Sequence, residues 1–200
     1  MENRGRVGLR AGGLALALFA SLWLAMGFTG CTAVSHANGN IAFMGDSITA
    51  YWWLPQSNLG VPGNGTTQML ERFPVEVLGQ GYRAVVILGG TNDIRPTSDA
   101  IEVQVTEATS HIEQMAQMAE KEHLTVVLCA IPPIVDEDGR AKAMNDAIKG
   151  VAQKYQLRFV DYYTPMVGHP EYFGSDGIHP NQDGYVVMQE ALAKVLPLEY

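Results

Sequence analysis

A serine, a histidine and an aspartate stand in this 200-residue chain in settings that suit nucleophilic acyl transfer. Ser47 lies in Gly45-Asp46-Ser47-Ile48, and the other two in Asp176-Gly177-Ile178-His179-Pro180. A serine hydroxyl is a weak nucleophile until an adjacent base takes its proton. Histidine suits that task because its side chain titrates near neutral pH. A carboxylate on the second ring nitrogen holds the tautomer and stabilises the imidazolium. Asp176 precedes His179 by three residues, so a single turn can join them, whereas Ser47 must arrive through the fold. Two more segments carry glycine beside polar residues: Gly60-Val61-Pro62-Gly63 and Gly89-Gly90-Thr91-Asn92-Asp93. Each segment alone is an ordinary turn. Their order and their placement after apolar runs carry the argument.

The elements that must position these residues alternate in type. Asn40 to Met44, Ser57 to Gly60, Ala84 to Leu88, Thr125 to Ala130 and Leu157 to Val160 read as strands, Ala84 to Leu88 most clearly because of its β-branched run. Ile48 to Leu54, Thr66 to Leu78, Asp99 to Glu122, Gly139 to Tyr155 and Asn181 to Leu196 read as helices. Pro74 should break the second or start a new turn, and Ser98 or Asp99 is the expected N-cap of the third. Apolar strands alternating with amphipathic helices predict an α/β fold with a parallel sheet covered on both faces. Sites in such sheets form beyond the carboxyl ends of the strands, which is where Ser47, Gly63 and Asn92 fall.

Taken together, these segments resemble the blocks of the GDSL/SGNH hydrolase superfamily. Gly45-Asp46-Ser47-Ile48 is similar to its first block, Gly63 to the glycine of its second, Gly90-Thr91-Asn92-Asp93 to its third and Asp176-Gly177-Ile178-His179 to its last. The resemblance covers the chain from Ile41 to the terminal helix. It implies a flavodoxin-like three-layer sandwich with about five parallel strands. It implies Ser47, Asp176 and His179 as catalytic triad, with the Ser47 N–H, the Gly63 N–H and the Asn92 side-chain amide as oxyanion donors. Glycine at 63 permits close backbone approach to a ligand, and Asn92 is an uncharged double donor. Gly65 stands where the family more often has a polar residue, so Gly60 and Gly65 are the alternative placements. The short span from Ser47 to Gly63 requires a brief first helix. No Gly-x-Ser-x-Gly elbow occurs, which disfavours an α/β-hydrolase.

Other chemistry-bearing residues have plainer readings. Asp46 is expected to cap the helix start and Asp93 to brace its loop. His111 and His123 are expected on the surface and His169 in a loop. Trp52 and Trp53 are core or wall residues that could border the acyl site as substrate-binding groups. Cys129 sits in an apolar run and reads as a buried, inert thiol. Asp136-Glu137-Asp138 reads as a solvated loop without calcium-loop spacing. With no Cys-x-x-Cys and no His-Glu-x-x-His, neither a metal nor another cofactor is indicated.

The N-terminus reads as an export signal: Arg4, Arg6 and Arg10 precede an uncharged apolar stretch, Gly12 to Gly30. Phe28-Thr29-Gly30-Cys31 resembles a lipobox, with Cys31 the residue to be lipidated. Ser35-His36-Ala37 is a rival cleavage site, and an uncleaved anchor is the third reading. The expected organisation is a signal peptide over 1–30, a tether over 31–39 and one hydrolase domain over 40–200. Losing 1–30 removes three Arg and one Glu, so the formal charge moves from −8 to −10. So acidic a domain lacks the electrostatic footprint for nucleic acid, and membrane contact is expected only through the anchor.

The function expected is hydrolysis of a short-chain or O-acetyl ester, on a small acyl ester or an acylated glycan. Lysophospholipase or thioesterase action, acyl transfer on the same triad, and a non-catalytic binding domain are the rivals. A fold alone does not choose among these substrates.

Overall fold

The computed structural model describes residues 41–54, 57–96, 99–135 and 139–196. Readings that fall elsewhere, namely the signal segment, Cys31, the tether, Ser98 and Asp136-Glu137-Asp138, lie outside the described residues.

Among the described residues, five strands form one sheet, all parallel: β1 (Ile41–Gly45), β2 (Ser57–Gly60), β3 (Ala84–Leu88), β4 (Thr125–Cys129) and β5 (Arg158–Val160). Their order is β2-β1-β3-β4-β5. β1 and β3 are buried at every position, as continuous apolar strands covered on both faces must be. The helices are α1 (Ser47–Ala50), α2 (Thr66–Glu76), α3 (Ile101–Lys121), α4 (Arg140–Lys154) and α5 (Gln182–Ala193). The α/β class and its parallel five-stranded sheet are as the sequence predicts.

Strand order reverses between β1 and β3, and at such a switch point the loops diverge and leave a crevice beyond the strand ends. The Ser47 and Asn92 loops leave from these two strands. α1 has only four residues, so the chain returns at once into β2. It lies so close to the β2 exit that a Cβ on Gly60 would sit 2.2 Å from the Ala50 nitrogen. Only glycine fits there.

Two local expectations fail. α2 runs past Pro74 to Glu76 instead of breaking. Phe73 and Val77, both buried, hold the turn on the core, and Val77 N–H donates to the Phe73 carbonyl at 3.0 Å, so packing outweighs the lost proline donor. α3 is capped by Ala100, without a side-chain bond, and not by Asp99. The helix begins where Ile101 can reach the core, and that decides its first residue.

Candidate active site

The end of β1 turns sharply into α1. Asp46 caps that helix, its Oδ1 accepting the Ile48 N–H at 2.9 Å. This leaves Ser47 on the first helical residue, 9% exposed, at the carboxyl edge of the sheet. Burial pushes the Asp46 carboxyl up from 3.8 to about 6, against the opposing pull of the Ile48 N–H and of His179. Tyr185 of α5 fastens α1 from the other side, donating its hydroxyl to the Ile48 carbonyl at 2.8 Å.

His179 reaches Ser47 across 132 residues of chain, with Nε2 2.8 Å from the serine Oγ. Its Nδ1 stands 2.6 Å from Asp176 Oδ2. Asp176 Oδ1 accepts the backbone N–H groups of Ile178 and His179 at 2.9 and 3.0 Å. The bond from His179 and these two amides hold the Asp176 carboxyl down at about 2, so it is an acceptor at neutral pH. Nδ1 is then the donor, and Nε2 is left to accept the Ser47 proton. A 3-10 turn at Pro170–Tyr172 and a bridge between Phe173 and Pro180 close this loop at its base. Gly177, at φ +66°, gives its carbonyl to the Val135 N–H at 2.8 Å.

The loops after β2 and β3 face Ser47. Gly63 adopts φ +81° and lines the cleft, a conformation that L side chains rarely adopt. Gly60 and Gly65 are spent elsewhere, Gly60 on β2 pairing and Gly65 as N-cap of α2. Asn92 Nδ2 donates to the Asn64 carbonyl at 3.0 Å and lies 3.4 Å from Asp46 Oδ2. Asn92 Oδ1 accepts from Arg95, which fixes which way the amide faces. Asp93 clamps the two loops together. Its carboxylate accepts both the backbone N–H and the hydroxyl of Thr66, at 2.9 and 2.6 Å.

These groups open onto a cavity of about 980 Å³. Ile94, which is buried, and Ile134 and Ile178 give it apolar wall. Tyr51, Pro62, Arg95 and Pro96 line it from exposed positions. The expectation that Trp52 or Trp53 borders the site is wrong. Trp52 is 2% exposed, packed on Phe43, Tyr162 and Tyr185. Trp53 is half exposed, edge-on to Tyr185, and lines no part of the cleft. The aromatic residue beside His179 is Tyr51, its ring 5.4 Å from the imidazole. Helical spacing could have found it, since residues four apart share a face and Tyr51 is four after Ser47.

A serine hydroxyl bonded to an imidazole that is bonded in turn to a carboxylate can attack a carbonyl while the proton passes to the ring. The sequence model of the GDSL-like Lipase/Acylhydrolase family matches residues 43–187. The chain belongs to that family. It is accordingly an ester-hydrolysing enzyme. Among solved structures, this GDSL hydrolase is similar to a GDSL-like lipase from Bacteroides thetaiotaomicron VPI-5482, at 27% identity and TM-score 0.68, over 77% of this chain and 85% of that one. It is also similar to a provisionally named acylhydrolase from Bacteroides fragilis NCTC 9343, at 26% identity and TM-score 0.70, over 86% and 95%. A curated relative, YrhL of Bacillus subtilis strain 168, provisionally named a peptidoglycan O-acetyltransferase, is 28% identical over 128 residues. That match spans 62% of this chain and only 18% of the relative's length.

The other described histidines lie away from Ser47. His123 is exposed. His169 stacks on Tyr172 and pairs with Glu171, lining a second cleft away from Ser47. His111 corrects its expectation: it is half-buried, with Nδ1 3.0 Å from the Thr66 hydroxyl. That hydroxyl gives its proton to Asp93, so it accepts from His111. No periodicity within α3 could reveal a partner 45 residues away. Cys129 is buried and free, its thiol pushed up to about 12 by burial, as suits an inert core residue.

Proposed function

We propose that this GDSL hydrolase cleaves short-chain or O-acetyl esters through an acyl-enzyme, with Ser47 as nucleophile, His179 as general base and Asp176 as its partner. The observation that carries the reading is the unbroken line from Ser47 Oγ to His179 to Asp176, at 2.8 and 2.6 Å, opening into an apolar cleft. Ser47 attacks the ester carbonyl and His179 takes its proton. The oxyanion is met by the N–H groups of Ser47 and Gly63 and the amide of Asn92, a preorganised set of donors. His179 protonates the leaving alcohol, and water then repeats the sequence to release the acid.

The short-chain preference is supported by the rim. Tyr51, Pro62, Gly63, Arg95 and Pro96 are all exposed, so a long chain passing them stays in water. Each methylene buried in a closed tunnel adds about 0.8 kcal/mol, and in an open cleft that gain stops after a few carbons. p-Nitrophenyl esters from acetate to decanoate, below their micellar range, should give kcat/KM highest at the short end, and Ser47→Ala should abolish turnover of all of them. A steady rise to decanoate would move the reading to lysophospholipase action.

The likeness to YrhL favours a second reading, transfer of the acyl group to a sugar hydroxyl in place of water. The same triad serves both reactions. Product analysis with an O-acetyl donor and a glycan acceptor present separates them: an acetylated acceptor means transferase, free acetate means hydrolase. The basic start, the apolar run and Cys31 support an envelope lipoprotein as the working location. Full-length protein should partition with membranes, and Cys31→Ser should block lipid labelling. Soluble protein beginning at Asn38 would instead place cleavage after Ala37.

A further inference from the structure

We propose that Arg72 and Asn64 act as one positioning unit that sets the three oxyanion donors relative to one another; this rests on the oxyanion reading above. Arg72 lies on α2 with its side chain 15% exposed. Its Nη2 donates at 2.8 Å to the carbonyl of Gly45, two residues before Ser47. The same carbonyl accepts the Val61 N–H at 3.1 Å, which ties the β1 exit to the β2 exit. Arg72 Nε donates at 2.9 Å to Oδ1 of Asn64, the neighbour of Gly63. Nη1 pairs with Glu76 one helical turn on, which balances the charge. The Asn64 carbonyl then accepts from Asn92 Nδ2 at 3.0 Å. A continuous path therefore runs Gly45–Arg72–Asn64–Asn92, from two residues before Ser47, through the neighbour of Gly63, to the third donor itself.

The residue types suit that task. A guanidinium is a rigid planar fork, so two acceptors on different loops are held at one fixed separation, which a lysine ammonium cannot do. Asn92 Nδ2 carries two hydrogens. The Asn64 carbonyl takes one at 3.0 Å, which sets the plane of the other, and the longer 3.4 Å contact of that other to Asp46 Oδ2 is the one an oxyanion would replace. Neither Arg72 nor Asn64 lines the cleft, so both act through the donors. Their effect belongs to the transition state, because oxyanion donors must lie about 2.7–3.1 Å from the developing charge and small misplacements are costly.

The test begins with Asn64→Ala, which removes the acceptor for Arg72 but keeps the backbone carbonyl. We expect kcat to fall about 10-fold or more, with KM changed less than about 2-fold. Affinity for an aryl boronic acid, whose tetrahedral adduct with Ser47 places an oxygen in the same hole, should fall by the factor lost in kcat/KM. Asn64→Asp restores the acceptor and should recover most of the loss. Arg72→Lys should lie between Arg72→Met and wild type. In an Asn92→Ala background, Asn64→Ala should cost much less than it does alone, since coupled residues are not additive. Wild-type kcat in Asn64→Ala, equal losses in Asn64→Ala and Asn64→Asp, or full additivity with Asn92→Ala would overturn the inference. If Asn92→Ala itself keeps kcat, the oxyanion reading fails and this inference with it. If Asn92→Ala loses kcat and Asn64→Ala does not, only the positioning unit fails.

Discussion

Around Ser47 the loops after β1, β2 and β3 are tied to one another by bonds that reach across 27 or 28 residues, from Arg72 to Gly45, from Asp93 to Thr66 and from Asn92 to Asn64. Across the cleft, the segment carrying Asp176 and His179 is held mostly by near neighbours: Asp176 to Ile178 and His179, and the Gly174 N–H to the His179 carbonyl. Burial follows the same division. Asp46 and Ser47 are 1% and 9% exposed, while the side chains of His179 and Asp176 are 31% and 49% exposed. Donors that must meet a developing charge gain from rigidity, because reorientation during the reaction would use up their stabilisation. A histidine that trades protons first with serine and then with the leaving group needs only the correct tautomer and direction, and a local carboxylate supplies both.

The largest expected effect is that of Asn92→Ala. It removes the only side-chain donor assigned to the rigid half, and kcat should fall ~10²- to 10³-fold with KM little changed. A loss confined to KM would make Asn92 a substrate-binding group and leave the rigid half without its stated purpose.

Burial of Asp46 makes a smaller prediction, on stability. Its carboxyl titrates near 6 in the fold against 3.8 otherwise, so between those values the folded chain binds the extra proton. Stability therefore falls as pH rises from about 4 to about 6, by up to roughly 2–3 kcal/mol on the order of the shift. Asp46→Asn keeps the acceptor for the Ile48 N–H and removes the titration. Tm measured against pH should decline less across that window in the variant. Parallel curves would show that the Asp46 charge is not the cause.

The local half should respond most mildly. Gly177 sits at φ +66°, and a Cβ there would meet Val135 Cβ at 2.9 Å. Gly177→Ala should cost about 1 kcal/mol of stability or somewhat more, and its effect on kcat should stay well below that of Asn92→Ala. An equal or larger kcat loss would mean that the Asp176–His179 loop depends on its fit to Val135 as strongly as the donors depend on their braces.

Much of this was legible in the residue pattern. β2 and β3 fall on the predicted residues, the other strands and most helices within a residue or three, because apolar runs of that length between turn residues have few other uses in a parallel sheet. Asp176 and His179 could be paired on spacing alone, since a three-residue offset puts both on one turn. Trp52 and Trp53 misled because a large aromatic residue next to a nucleophile has the same composition whether it faces a ligand or the core. Which way each points depends on the phase of a four-residue helix, and this phase puts Tyr51 at the cleft. His111 misled because a half-buried position on an amphipathic helix looks like a surface one until its partner is known.

The α/β class, the polar strand-exit loops and the local Asp176–His179 pair follow from the residue pattern, because each rests on periodicity or on contacts within one turn. Packing in three dimensions sets the rest: that Arg72, Asn64, Thr66 and Asp93 bind the loops after β1, β2 and β3 to one another, that Asp46 is buried deeply enough to titrate near 6, and that Tyr51 instead of a tryptophan flanks His179. Those outcomes depend on which loops a strand order of β2-β1-β3-β4-β5 brings side by side. A hydrogen bond between residues 27 apart leaves no trace in the spacing of either one.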